Sequence, residues 1–229
     1  MNVPHKTWEI VVPDELATQE LARDLAFTIA AGDVIAIGGE LGTGKSALAR
    51  AIIRTLAGDD NLEVPSPTFT LMQVYELPRF SVVHADLYRV NTLAELSELG
   101  WEEASAGAAV LVEWPEKAGP LLQAERLEVH LELAPDLGFE HRRIVLTGIG
   151  DWAGRLMRLR AEHSLFEASG YGNARREHIQ GDASTRSYER LLLDDGSAIL
   201  MKAPSGKDGP PIRQGRTYGE IAKLAQNME

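Results

Sequence analysis

The chain has no cysteine. Disulfides, zinc–thiolate centres and thiol nucleophiles are therefore excluded. No apolar run approaches the roughly 18 residues of a membrane span, and Met1 to Glu9 lacks the basic and apolar pattern of a secretory signal. A cytoplasmic protein with no membrane segment is the expectation. Of the histidines, His5, His130, His141, His163 and His178 show no metal-ligand spacing, and His84 reads as a strand residue rather than a ligand. There is no N-K-x-D guanine-reading motif, which argues against a GTPase, and no Arg-rich lid of the small-molecule kinase type.

Positive charge is scarce where it would matter for nucleic acid. Residues 151–229 hold 12 Lys+Arg and 11 Asp+Glu; subtracted from totals of 23 and 34, this leaves 11 and 23 in residues 1–150, a net of −12. Phosphate backbones repel such a surface, so DNA is not an expected partner and tRNA would be met only indirectly. A basic protein partner suits it better. With 229 residues and 44% hydrophobic content, the chain can bury one sizeable core, with room for a further fragment.

What is present centres on Gly39-Glu40-Leu41-Gly42-Thr43-Gly44-Lys45-Ser46, which fits the P-loop pattern G-x-x-x-x-G-K-[ST] at each defined position. Asp33 to Ile37 before it is a short β-branched apolar run, and Ala47 to Leu56 after it places Leu48, Ile52, Ile53 and Leu56 on one helical face. Strand, glycine loop and helix follow in the order the chemistry requires. Glycines let successive backbone N–H groups converge on one anion, and the helix N-terminus adds its free donors and positive dipole end. Lys45 can then reach the β- and γ-phosphates of ATP, or the β-phosphate of ADP, and the Ser46 hydroxyl can hold Mg²⁺.

A P-loop also needs an acid at the end of a neighbouring apolar strand. Two positions qualify: Asp86 after Ser81 to Ala85, and Glu113 after Ala109 to Val112, a run similar to a Walker B strand. Either can be read as metal holder or catalyst, or as a surface acid at a strand end. Val64-Pro65-Ser66-Pro67-Thr68 is kept extended by its prolines. The hydroxyls of Ser66 and Thr68 suit a switch-like approach to Mg²⁺ or the γ-phosphate, or simply a hydroxyl-rich loop.

Coarser patterning completes the reading. Strands are expected at Thr7–Val12, Phe69–Tyr75, Ser81–Ala85, Ala108–Val112, Arg126–Leu133 and Arg143–Leu146. Helices are expected at Thr18–Ala31 with Thr18 as cap, at Leu93–Gly100, and at Asp151–Phe166 with Trp152, Leu156 and Leu159 on one face. Ala168–Asn173 reads as a linker. The fold class is α/β, a small P-loop NTPase with a mixed, largely parallel central sheet flanked by helices.

The ordered set Gly39 to Ser46, Ser66-Pro-Thr-Phe-Thr70, His84-Ala-Asp-Leu-Tyr-Arg89, Glu98-Leu-Gly100 and Val112-Glu-Trp-Pro-Glu116 closely resembles one family over about residues 8–150. It is the bacterial ATPase subunit of tRNA threonylcarbamoyladenosine (t6A) biosynthesis, the TsaE or YjeE type. The resemblance implies ATP hydrolysis that supports turnover of a threonylcarbamoyl-transferase subunit and its paralogous partner protein. By motif match it implies phosphate binding by Gly39 to Ala47, metal binding by Ser46, Glu113 and Asp86, and catalytic roles for Lys45, Asp86 and Glu113. It further implies a switch role for Thr68, and Trp114 beside the nucleotide, where packing against Pro115 is the plainer alternative.

The chain continues past the family's usual end. Ile179-Gln-Gly-Asp-Ala-Ser-Thr-Arg-Ser-Tyr-Glu-Arg190 and Ala198-Ile-Leu-Met-Lys-Ala-Pro204 resemble the opening of an aminoglycoside-phosphotransferase-like sugar kinase, a nucleotide-covering hairpin and then a strand carrying Lys202. No catalytic-loop H-x-D with a following Asn comes after Lys202, and a last helix is expected from Tyr218. The expected organisation is an ATPase domain at 1–150, helix and linker at 151–173, and an incomplete phosphotransferase N-lobe at 174–229. Residues 174–229 are expected to be inactive, which sugar phosphorylation above a Lys202→Ala control would overturn. Two other functions remain open: a nucleotide-switched binding module with little hydrolysis, and a small-metabolite P-loop kinase.

Overall fold

Residues 3–171, 174–179, 187–193 and 196–202 are described by the computed structural model. The chain divides into two units, Met1–Arg160 and Ala161–Glu229. The first contains β1 (His5–Val12), α1 (Glu15–Thr28), β2 (Val34–Gly39), α2 (Lys45–Ala57), β3 (Met72–Glu76) and β4 (Ser81–Asp86). It continues with α3 (Leu93–Glu98), α4 (Trp101–Ser105), β5 (Ala109–Glu113), β6 (Arg126–Leu133) and β7 (Arg142–Ile149), and reaches α5 (Asp151–Phe166).

The seven strands form one sheet in the order β1-β7-β6-β2-β5-β4-β3. The centre is parallel, with β2 beside both β5 and β6 and β4 beside β5. The flanking pairs β1–β7, β6–β7 and β3–β4 are antiparallel. This is the mixed sheet with a parallel centre and flanking helices that the patterning calls for.

Period-2 alternation sorts each central strand between two cores. Ile35, Ile37, Leu111, Leu127, Val129 and Leu131 pack with Leu21 and Leu25 of α1, Leu48, Ile52 and Ile53 of α2, and Trp152, Leu156 and Leu159 of α5. Val34, Ala36, Val83, Ala85, Val110 and Val112 pack instead with Leu96 and Trp101 of α3 and α4. Leu48, Ile52 and Ile53 are wholly buried, each contributing about 1.5–3 kcal/mol. That burial fixes α2, and with it the loop at its N-terminus, against the sheet.

Several element boundaries differ from expectation. Thr18 is not the cap of α1. Asp14 is, its Oδ1 accepting from the Ala17 N–H at 2.8 Å, while the Thr18 hydroxyl bonds back to the Asp14 carbonyl. The helix stops at Thr28, short of Ala31, because Ile29 turns extended and the Asp33 carboxylate takes the Ala30 N–H at 2.7 Å. The strand expected from Phe69 starts at Met72, after a turn in which the Leu71 N–H bonds the Pro67 carbonyl and Leu71 sits at φ 64°. Leu93–Gly100 gives only Leu93–Glu98, and Gly100, left-handed at φ 74°, opens the additional helix α4. β7 extends to Ile149, paired along its length with β1 and β6.

In the second unit, β8 (Arg175–Ile179), β9 (Ser187–Leu193) and β10 (Gly196–Lys202) form an antiparallel sheet in the order β10-β9-β8. Its small core holds Ala174, Leu191, Ala198 and Leu200, with Phe166 and Tyr171 packed on it. Glu167–Tyr171, which overlaps the linker expected at Ala168–Asn173, is a helical turn kinked at Gly170. Residues 172–173, the 180–186 stretch of the expected hairpin, the side chain of Lys202 and the helix expected from Tyr218 all lie outside the described residues.

Candidate functional site

β2 ends at Gly39 and α2 begins at Lys45, so the loop between them caps the C-terminal end of the central strand. Gly44 precedes the helix at φ 106° and no side chain caps it, so its first N–H groups carry no capping partner. Gly39 is required by space. At φ 131° a Cβ there would lie 2.3 Å from the Leu131 carbonyl oxygen of β6. Gly42, at φ 81°, faces open space, so only its backbone conformation needs glycine. Thr43 is buried, its hydroxyl donating to the Glu40 carbonyl at 2.9 Å, and the Arg142 Nε donates to the Thr43 carbonyl at 3.4 Å. Glu40 and Leu41 project to solvent, and Ala47 is half-buried in the first turn of α2.

Lys45 is buried, and its Nζ donates to the carbonyls of Gly39 at 2.8 Å and Glu40 at 2.6 Å. The ammonium also lies 4.0 Å from the centre of the Trp114 ring, a cation–π contact. Burial lowers its pKa from the ordinary lysine value, opposed by the negative charges of Glu113, Asp86 and Glu116. A cation held this way, by two backbone carbonyls, is well placed to exchange them for anionic oxygens, which accept stronger bonds.

Register brings the two acids together. In the parallel pair β4–β5, Asp86 lies opposite Glu113, and Glu113 lies opposite Ile37 of β2. Both carboxylates thus end neighbouring strands at the level of the loop. Asp86 is 4% exposed and Glu113 1% exposed, so the reading of either as a surface acid fails. The Ser46 hydroxyl donates to Glu113 Oε2 at 2.9 Å. It also lies 3.4 Å from the Ser66 hydroxyl, which is 2.9 Å from the Thr68 hydroxyl. Thr68 Oγ1 in turn donates to Asp86 Oδ2 at 2.8 Å, and Asp86 Oδ1 accepts from the Tyr88 N–H at 3.0 Å. One run of hydroxyls and carboxylates therefore links the P-loop, the proline-bounded segment and both strand ends.

Trp114 is half-buried and left-handed at φ 58°. Its ring lies 5.0 Å from that of Tyr88 as well as beside Lys45, so packing against Pro115 is not its whole role. Leu71, the other left-handed non-glycine among the described residues, adjoins the same site, with its carbonyl accepting the Asp86 N–H.

Among the described residues no cluster of three or more His, Cys, Asp or Glu could hold a metal. The donors here are instead the hydroxyls of Ser46, Ser66 and Thr68 with the carboxylates of Asp86 and Glu113. An all-oxygen set of two carboxylates and hydroxyls fits Mg²⁺, which keeps several waters and shares its sphere with phosphate oxygens.

Sequence reasoning gave no site role to His84, which bonds Glu113 Oε1 through Nε2 at 2.9 Å, or to Tyr88 and Arg142. For His84 a signal existed. It stands two residues before Asp86 in a strand, and so on the same face.

A family model described as "Threonylcarbamoyl adenosine biosynthesis protein TsaE" matches residues 12–144. A Rickettsia bellii protein named "tRNA threonylcarbamoyladenosine biosynthesis protein TsaE" is 38% identical over 128 residues, covering 56% of this chain and 88% of that protein. A Streptomyces coelicolor protein of the same name is 34% identical over 142 residues, covering 59% and 93%. The crystal structure of Bacillus subtilis YdiB aligns with TM-score 0.55 over 71% of this chain and 98% of that one; at 24% identity the likeness speaks for the fold alone.

Proposed function

The chain belongs to the TsaE family, and from that premise we propose that it hydrolyses ATP at the P-loop site to support turnover of a threonylcarbamoyl-transferase complex. Its place is in the biosynthesis of threonylcarbamoyladenosine in tRNA. The observation that carries the ATPase reading is the convergence of Lys45, Ser46, Glu113 and Asp86 at the ends of three adjacent strands.

The chain's own groups divide the work. The backbone N–H groups of Gly42 to Ser46 bind and orient phosphate oxygens. Lys45 leaves the Gly39 and Glu40 carbonyls to balance charge on the β- and γ-phosphates. Ser46 and Glu113 would hold Mg²⁺, with Asp86 beside them; when bound, the ion neutralises charge developing on the transferred phosphoryl group. Asp86, tied on one side to Thr68, orients the attacking water, and Thr68 carries the state of the site into the proline-bounded segment. Trp114 shields Lys45 from solvent.

Partners follow from charge. A net of −12 over residues 1–150 favours a basic protein surface over direct contact with tRNA. The transferase subunit and its paralogous partner are the proposed partners. Among the described residues no helix is long and apolar enough to cross a membrane.

The test is steady-state ATP hydrolysis by the full chain, alone and with the purified transferase pair, beside Lys45→Ala. Hydrolysis that rises with the pair and falls by about 10²-fold or more in the variant is the expected result. Tight nucleotide binding with no hydrolysis in either condition would replace this reading with the nucleotide-switched module, to which the hydroxyl run from Ser46 to Asp86 lends itself.

A further inference from the structure

His84 is buried to 1% exposure in the middle of β4. Val82, His84 and Asp86 share one face of that strand, and Val82 packs in the core that contains α2. The imidazole therefore points to the side of the sheet where the P-loop helix lies. There its Nε2 meets Glu113 Oε1 at 2.9 Å. An ionised carboxylate only accepts, so against it Nε2 is the donor.

The other ring nitrogen, Nδ1, is buried with no hydrogen-bond partner among the described residues. A buried polar atom without a partner costs stability, and an aliphatic side chain in this strand would avoid that cost. Packing alone gives no reason for a histidine here. The bond to Glu113 gives one. Oε2 of that carboxylate takes the Ser46 hydroxyl at 2.9 Å, so the two oxygens are held from opposite partners, one on β4 and one on α2. Without His84, Oε1 would be buried and unsatisfied, and the carboxylate would be free to rotate away from Ser46.

We propose that His84 is a positioning residue, holding the Glu113 carboxylate turned toward Ser46 so that the pair is already arranged for a divalent cation. This rests on the reading of Ser46 and Glu113 as metal holders. Partners of this kind, one bond removed from the metal, typically change metal affinity by about 10–100-fold when lost.

The experiment is calorimetric binding of ATP to the full chain, in EDTA and across a Mg²⁺ titration, for the native protein, His84→Leu, His84→Asn and His84→Gln. Glutamine places an amide donor near the position of Nε2, whereas asparagine places one near Nδ1, out of reach of Oε1. In His84→Leu and His84→Asn the Mg²⁺ concentration giving half the gain in affinity should rise about 10–100-fold, while affinity in EDTA stays within about threefold. His84→Gln should restore the native Mg²⁺ dependence. Should His84→Leu not fold, the asparagine and glutamine variants carry the comparison alone. Equal loss in EDTA and in Mg²⁺, an unchanged Mg²⁺ midpoint, or glutamine behaving as asparagine would each overturn the proposal. A native protein whose ATP affinity gains nothing from Mg²⁺ would overturn the metal reading of Ser46 and Glu113 along with it.

Discussion

The P-loop has two flanks, and they are built differently. On the β5 side it is held by side chains: Ser46 to Glu113, Glu113 to His84, and Ser66 through Thr68 to Asp86. On the β6 side it is held mainly by backbone proximity, with Gly39 against the Leu131 carbonyl and one long bond from Arg142 to the Thr43 carbonyl. The first flank is buried and hydrogen-bonded throughout its acids. The second passes into a β6–β7 connection where Leu137 and Phe139 are exposed. The contrast suggests a division of tasks, with chemistry at phosphate and metal on the β5 side, and shape and loop curvature on the β6 side.

The sharpest way to break the comparison is Asp86→Asn. It keeps size and a hydrogen-bonding oxygen but removes the charge on the β5 side. The expected loss in kcat is about 10²–10³-fold, with nucleotide binding in EDTA largely retained. A variant that binds weakly but turns over normally would move Asp86 from the chemistry to the loop's scaffold.

Gly39→Ala probes the other flank. The added Cβ meets a backbone oxygen, which cannot swing aside as a side chain could, and the φ of 131° is strained for any L residue. Strain of about 1–3 kcal/mol predicts a lower melting temperature and about 10–100-fold weaker ATP binding, equal with and without Mg²⁺. Preserved affinity in thermal-shift and binding assays would show that the loop relaxes away from β6 and that this flank is not rigid.

The same contrast explains what could be read from the sequence. Side-chain chemistry leaves residue types at fixed spacing, so Lys45, Ser46, Asp86, Glu113 and the Ser66–Thr68 segment stood out, as did every central strand with its apolar run. Backbone proximity leaves only a glycine, and nothing in Gly39 announces that its neighbour is Leu131. Arg142 was invisible for a related reason. It lies 99 positions from Thr43, and only the β6–β7 hairpin register returns it to the loop. His84 was legible by alternation as a strand residue, which it is, but spacing alone did not show its contact with the Glu113 carboxylate. The cap of α1 was misassigned because Asp14 and Thr18 are both good capping residues one turn apart, and the backbone settles on the first.

The smallest effect should come from Arg142→Ala, and its size distinguishes scaffold from chemistry on the β6 flank. The Arg142 Nε bond to Thr43 is 3.4 Å long, at the weak end of hydrogen-bond geometry, and the same guanidinium also bonds the Glu140 carbonyl next to it. Removing it takes one weak donor from the Thr43 carbonyl. The loop keeps its three glycines and its bonds from Thr43 and Lys45 to Glu40. ATP affinity should therefore fall by no more than about threefold, with kcat and the Mg²⁺ midpoint unchanged. A loss of 10²-fold in kcat would mean that this guanidinium reaches charge on the transferred phosphoryl group, as arginines do in other P-loop enzymes. The β6 flank would then belong to the chemistry, and the division between the two sides of the loop would fail.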